Sequence, residues 1–234
     1  MDHASYDKRK YPIVGVREGY GEWVRTYEQT VQDEMDLRLL ERLRAVDWSA
    51  LHSVLDLVCG TGRIGQWLGK RCAAATIDGV DITPEMLDVA RSRKIYRTLR
   101  LADVSSTGLP TDAYDLSVQS LADEHLPELQ PLYREAARVT RRGGTFVIVG
   151  FHPQFLMSGM PTHFDRAPGE PITIRSHVHL LSDHVKAAHA SGWSLLEMEE
   201  GLIDDAWLQR KPKWASYLGI PISFAMVWHR KETD

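Results

Sequence analysis

The chain has 234 residues, of which 43 % are hydrophobic, 26 % are charged and seven are Trp. That length and balance fit one α/β domain with a sizeable core and exclude a disordered or fibrous chain. Lys and Arg total 28 against 32 Asp and Glu, a net charge of −4, so the basic field that drives phosphate-backbone binding is missing and no nucleic-acid partner is expected. Cys59 and Cys72 are too few for a disulfide framework, which fits a reducing compartment. With no signal-type apolar region and no run of about 18 apolar residues, the expectation is a cytoplasmic protein without a membrane partner.

In chain order, residues 1 to 21 carry charges and Gly15, Gly19 and Gly21, which reads as an irregular arm. A helix is predicted over about 23 to 46, where Val24, Tyr27, Val31, Met35, Leu39, Leu40 and Leu43 keep helical spacing. Residues 53 to 65 then join a β-branched apolar run, an acid and a glycine loop, the pattern of strand, tight turn and helix. Val54, Leu55, Leu57 and Val58 suit a strand buried on both faces, and ligands bind outside the carboxyl ends of such strands. Gly60 to Gly65 matches G-x-G-x-x-G, so a dinucleotide has to be weighed. Asp56, four positions before Gly60, would repel a pyrophosphate but suit a ligand with an ammonium, a sulfonium and no phosphate. S-adenosylmethionine is such a ligand.

A second strand over 73 to 82 ends at Asp81, 21 residues past Gly60, where an acid can accept from both ribose hydroxyls. Thr83 and Pro84 start a helix there, with Thr83 expected to cap it. An edge strand over 96 to 102 ends at a third acid, Asp103, and a fourth strand covers 114 to 119. Residues 127 to 142 read as a helix stopped by Gly143 and Gly144, and 145 to 150 as an unbroken central strand. Residues 151 to 179 are too apolar for a linker and too long for an idle loop, so they are expected to cap a pocket. After a helix at 182 to 191, strands at 193 to 203 and 222 to 228 suggest an antiparallel hairpin around a second insertion, 203 to 219. The expected fold is a Rossmann-like, doubly wound, seven-stranded sheet, mostly parallel with a terminal antiparallel hairpin. It forms a single domain: arm and helix at 1–50, a cofactor-binding half at 51–150, and substrate-cap insertions at 151–179 and 203–219.

Asp56, Gly60 and Gly62, within D-L-V-C-G-T-G, resemble motif I of the class I S-adenosylmethionine-dependent methyltransferases, written D-x-G-x-G-x-G. Val58 stands where that family has its first glycine; a valine needs negative φ, so the turn should open later. Residues 19 to 28 resemble the Y-x-x-W-x-x-x-Y entry helix of small-molecule methyltransferases, which implies that Tyr20 and Tyr27 close over the methionine end of the cofactor. An aromatic wall there can attract a sulfonium by about 0.5–2 kcal/mol. The same resemblance implies Asp81 on the ribose, Ile82 and Met86 on the adenine face, Asp103 and Val104 at the adenine edge, and Cys59 and Gln119 among the cofactor contacts. S-adenosylhomocysteine would be the product.

Residues 120 to 126 resemble the family's segment beside the transferred methyl, often ending H-H-L or E-H-L. The Pro-Pro motif of nucleic-acid amino-methyltransferases and the paired glutamates of protein arginine methyltransferases are missing, which leaves a small-molecule acceptor. A hydroxyl acceptor benefits from a base of pKa near the operating pH, and His125 and His152 follow the fourth and fifth strands. His163, His177 and His179 lack a third ligand of assured proximity, so no metal is expected. Three classes stay open: a small-molecule methyltransferase, an NAD-type oxidoreductase, and a catalytically silent cofactor-binding partner. The sequence leaves the oligomeric state open.

Overall fold

The computed structural model describes residues 1–31 and 35–232. A short strand, β1 (Ile13–Val14), leads directly into α1 (Val16–Thr30), so the end of the expected irregular arm is helical. Gly19 serves packing instead. A Cβ on Gly19 would lie 2.7 Å from Ile174 Cγ1, so only glycine lets α1 approach that residue. The single helix expected over 23–46 is two helices, α1 and α2 (Met35–Arg42); its stretch 32–34 lies outside the described residues. In the last turn of α1, Thr30 Oγ1 donates to Thr26 O and accepts from Trp23 Nε1, each at 2.9 Å.

Then come β2 (Ser53–Asp56), α3 (Arg63–Arg71), β3 (Thr76–Asp81), α4 (Pro84–Ser92), β4 (Thr98–Leu101), β5 (Tyr114–Ser120), α5 (Gln130–Val139) and β6 (Thr140–Phe151). The first insertion holds α6 (Pro153–Met157), β7 (His163–Asp165) and β8 (Pro171–Ile174), followed by α7 (Leu181–His189). The hairpin strands are β9 (Trp193–Leu202) and β10 (Pro221–Arg230), with α8 (Asp205–Arg210) and a 3-10 turn (Pro212–Tyr217) between them.

Seven strands form one sheet in the order β4-β3-β2-β5-β6-β10-β9. Pairing is parallel from β4 to β6, and β10 runs antiparallel to both β6 and β9. This is the Rossmann-like sheet with a terminal hairpin that the apolar runs imply. Val54, Leu55, Leu116, Val118 and Val147 are fully buried, as a sheet covered on both faces requires. Leu39, Leu40, Trp67 and Leu68 from α2 and α3 cover one face; Leu132, Tyr133 and Ala187 from α5 and α7 cover the other. Strand order reverses between β2 and β5, which opens a crevice beyond their carboxyl ends. At its edge the buried Asp36 of α2 takes a bidentate ion pair from Arg63 and accepts from Ser120 Oγ at 2.9 Å.

Two boundaries differ from the sequence expectation. The helix expected over 127–142 is only α5, and β6 starts at once. Gly143, with φ of 72°, and Gly144 lie where pairing jumps from Tyr114↔Thr140 to Leu116↔Thr145, so they accommodate a strand irregularity rather than stop a helix. Thr83 precedes α4 but makes no side-chain capping bond; Asp81 Oδ1 accepts from its backbone N at 2.8 Å. A smaller three-stranded sheet, β1-β8-β7, joins the N-terminal segment to the first insertion.

Candidate active site

The first residues of the loop between β2 and α3 are held by backbone bonds to the two neighbouring strands. Leu57 N donates to Val118 O and Cys59 N to Val80 O, at 2.8 and 2.9 Å. Gly60 and Gly62 take φ of 52° and 87°, the left-handed region that favours glycine, and Val58 does not. The turn therefore opens after Val58, as a valine at that position requires. Asp81, 5 % exposed, sits beside it at the end of β3, and its Oδ2 accepts from Gly60 N at 2.8 Å. A Cβ on Gly60 would meet nothing within 4 Å, so the loop fronts open space.

That space is a cavity of about 270 Å³ lined by residues from four strand ends and α1. Asp81, Ile82 and Met86 come from the β3–α4 junction, Asp103 and Val104 follow β4, and Gln119 is the penultimate residue of β5. Tyr20 and Tyr27 of α1, Gly60 and His125 complete the sequence-derived set in its wall. Asp56, Cys59 and Gly62 do not line it. Asp56 lies behind the loop, where Tyr96 Oη donates to its Oδ2 at 2.8 Å and burial raises its pKa to about 7. Cys59 is buried too, and burial pushes its thiol up. Asp103 Oδ1 accepts from Ser105 N at 2.8 Å, an Asx turn within the cavity wall.

Among the described residues, two carboxylates and no Lys or Arg line this cavity. An acid-lined wall with apolar Ile82 and Met86 fits a phosphate-free cation such as S-adenosylmethionine and opposes a pyrophosphate. The discriminating charge is thus Asp81 with Asp103, rather than the enclosed Asp56.

Beyond β5 the chain turns sharply. Leu121 adopts φ of 52°, a left-handed conformation that costs a leucine roughly 1–3 kcal/mol. Its N donates to Val149 O at 2.8 Å, and the Gln119 carboxamide oxygen accepts from Ala122 N at 2.8 Å. The turn presents the sequence Asp123-Glu124-His125. His125 Nδ1 donates to Arg175 O at 2.8 Å, so Nε2 accepts from the Tyr20 hydroxyl at 2.9 Å. Burial lowers this imidazole to about 4, which keeps it neutral, and both ring nitrogens are engaged. His152 lies elsewhere: its Nδ1 accepts from Gln154 N at 3.2 Å and caps α6, while Nε2 donates to Glu200 at 2.9 Å. It lines neither this cavity nor the next.

A second cavity, of about 690 Å³, lies under the two insertions and shares Tyr20, Tyr27 and Leu121 with the first. Phe151, Phe155, Phe164, Trp207 and Trp214 line it, whereas Met157 is exposed. Trp23 stacks on Phe164 at 5.5 Å, and Phe155 on Trp214 at 5.4 Å. Glu124 also faces this space, and the sequence reading passed over it for the neighbouring histidine. Its side chain is fully buried, Thr162 Oγ1 donates weakly to Oε1 at 3.4 Å, and Oε2 has no partner. Burial, with the Asp123 charge next, raises its pKa to about 8. His177 and His179 stand with rings 6.3 Å apart and His163 bonds Arg9; the described residues hold no group of three metal-ligating side chains.

Residues 55–148 match a family described as "Methyltransferase domain". Methyltransferase GfsG of Streptomyces halstedii is 30 % identical over 176 residues, covering 72 % of this chain and 61 % of that one. The malonyl-(acyl-carrier protein) O-methyltransferase of Halorhodospira halophila is 31 % identical over 196 residues, covering 81 % and 61 %. Residues 55–148 are thus a methyltransferase domain. The chain spans about three fifths of the length of these two relatives. The fold of the chain is also that of an S-adenosylmethionine-dependent methyltransferase from Mesorhizobium loti. The TM-score is 0.68 at 22 % identity, with 85 % of this chain and 99 % of that one covered. No helix among the described residues is long and apolar enough to cross a membrane.

The glycine run also sets a packing constraint at the start of α3. A Cβ at Gly65 would fall on the Tyr96 ring and hydroxyl, the group that bonds Asp56. Gly65→Ala should therefore cost about 1–3 kcal/mol and lower the melting temperature by several degrees, checked by a thermal melt.

Proposed function

We propose that this chain transfers a methyl group from S-adenosylmethionine to a small-molecule acceptor held under the two insertions. The observation that carries the reading is the common wall: Tyr20, Tyr27 and Leu121 belong to both the acid-lined cavity and the aromatic cavity. The cofactor, when bound, supplies an electrophilic methyl on a sulfonium. In the residue roles proposed here, Asp81 holds the ribose, Ile82, Met86 and Val104 surround the adenine, and Asp103 accepts from its amino group. Gly60 leaves room for the amino-acid moiety, and Gln119 braces the turn beside it. Methyl transfer by in-line displacement asks the protein mainly for alignment and water exclusion, which the aromatic enclosure is suited to provide.

Glu124 is the proton acceptor in this reading, and His125 acts through Tyr20. With its Nε2 accepting from the Tyr20 hydroxyl, His125 fixes where the phenol oxygen points. An acceptor that must lose a proton, a hydroxyl or an acidic carbon, fits Glu124 better than an amine, which attacks when neutral. Incubating the chain with methyl-labelled cofactor and fractionated metabolites tests this. Label should enter a small-molecule fraction; label found only in protein or nucleic acid would contradict it.

A further inference from the structure

Two of the cations that line the cavity under the insertions lack a carboxylate partner among the described residues. Arg9 and Lys213 both line it, and among the described residues neither has a carboxylate within ion-pairing distance. Arg9 spends its donors on weak partners instead. It donates to His163 Nε2 at 2.8 Å and to Met160 Sδ at 3.2 Å, and its guanidinium lies 5.8 Å over the Tyr11 ring. His163 is fixed as a neutral acceptor, because its Nδ1 donates to Pro161 O at 2.9 Å. Burial lowers its pKa, and the Arg9 charge pushes the same way. Lys213 is exposed at the rim, within electrostatic reach of the same imidazole. Among the described residues, Asp165 is the one lining carboxylate besides the buried Glu124, and it is exposed.

A half-buried guanidinium whose acceptors are an imidazole and a thioether gains most from an oxyanion, which it can bind through two parallel N–H bonds. The wall beside it is aromatic: Phe155 stacks between Phe151 at 5.8 Å and Trp214 at 5.4 Å, and Tyr217 lies 5.9 Å from Trp214. The methyl-donor side of the cavity is the wall shared with the cofactor cavity, formed by Tyr20, Tyr27 and Leu121. Neither Arg9 nor Lys213 belongs to it.

We propose that the acceptor is an apolar or aromatic molecule carrying a carboxylate or phosphate group, which Arg9 and Lys213 bind while its body lies on Phe155 and Trp214. The anionic group is an anchor and takes no part in the transfer. It sets which end of the molecule reaches the shared wall. The inference rests on the methyltransferase reading given above, so the two are measured separately.

The test is calorimetry on the full chain, first with S-adenosylhomocysteine alone and then at saturation with it. The probes are 2-naphthoate, 2-naphthyl phosphate, 2-naphthalenemethanol and 2-naphthylmethylammonium. One or both anions should bind about tenfold or more tighter than the alcohol, with the ammonium weakest, and the preference should shrink as salt is raised. The stronger anion identifies the head group. Arg9→Met should bring anion and alcohol to within about threefold of each other, and Lys213→Met, on an exposed side chain, should reduce the preference by roughly threefold. Affinity for S-adenosylhomocysteine should stay unchanged in both variants. Equal binding of anions and alcohol, no anion bound at millimolar concentration, or a preference that survives both substitutions would overturn the proposal. Failure of S-adenosylhomocysteine to bind would instead strike the methyltransferase reading.

Discussion

Replacing Asp81 by alanine is expected to weaken S-adenosylhomocysteine binding roughly tenfold or more and to lower stability together with it. The carboxylate has two structural duties: Oδ2 accepts from Gly60 N and Oδ1 from Thr83 N, both at 2.8 Å. Removing it leaves two buried donors unpaired, at about 1–3 kcal/mol each. An ionised carboxylate has about four acceptor sites, so two further bonds to ribose hydroxyls remain open to it. Burial raises the pKa of Asp81, so affinity should fall as acidification protonates the group. Asp81→Asn, which keeps one acceptor oxygen, should lose less stability than the alanine variant yet still bind the ligand weakly. Calorimetry beside a thermal melt separates the two roles. Unchanged affinity in a folded variant would leave Asp81 as a loop anchor only.

Glu124→Gln should lower methyl transfer to a proton-bearing acceptor by roughly 100-fold, in line with the usual contribution of a positioned base. Cofactor affinity should stay within a few-fold, because Glu124 lines the cavity under the insertions and not the loop cavity. Its pKa is raised to about 8 by burial, so the wild-type rate should climb with pH until the group ionises, and the glutamine variant should lose that limb. Stability follows the same titration with a defined sign. A raised carboxyl pKa contributes stability that is complete below the unfolded-state value, near 4.5, and is lost as pH rises through about 8. At pH 9 the variant should then melt higher than the wild type, while near pH 4 that advantage disappears. A rate that survives the substitution, with its pH limb intact, would move the base elsewhere.

The sheet and the acids at its carboxyl edge were legible because a buried parallel strand must read as an apolar run. Asp81 ends β3 and Asp103 follows the exposed edge strand β4, both at the edge where ligands bind. Val58 was legible for a backbone reason, since its side chain excludes the positive φ that Gly60 and Gly62 adopt. What stayed hidden depends on contacts across the fold. Gly19 looks like a loop residue until Ile174 is placed against it. Gly143 and Gly144 look like a helix stop until the shift in β6 pairing is seen. Glu124 and His125 are neighbours in a sharp turn, and no periodicity says that one faces the acceptor cavity while the other backs onto Tyr20. His152 was chosen for its place after a strand, yet its nitrogens are taken by Gln154 and Glu200. Asp56 was the sequence argument against a dinucleotide, but the lining that opposes one is made by Asp81 and Asp103.

The most direct measurement is a pair of calorimetric titrations of the chain, one with S-adenosylhomocysteine and one with NAD. A cavity with two carboxylates and no Lys or Arg lining it among the described residues predicts binding of S-adenosylhomocysteine at about micromolar Kd or tighter, and NAD at least roughly 100-fold weaker. NAD bound as tightly as S-adenosylhomocysteine would contradict the account.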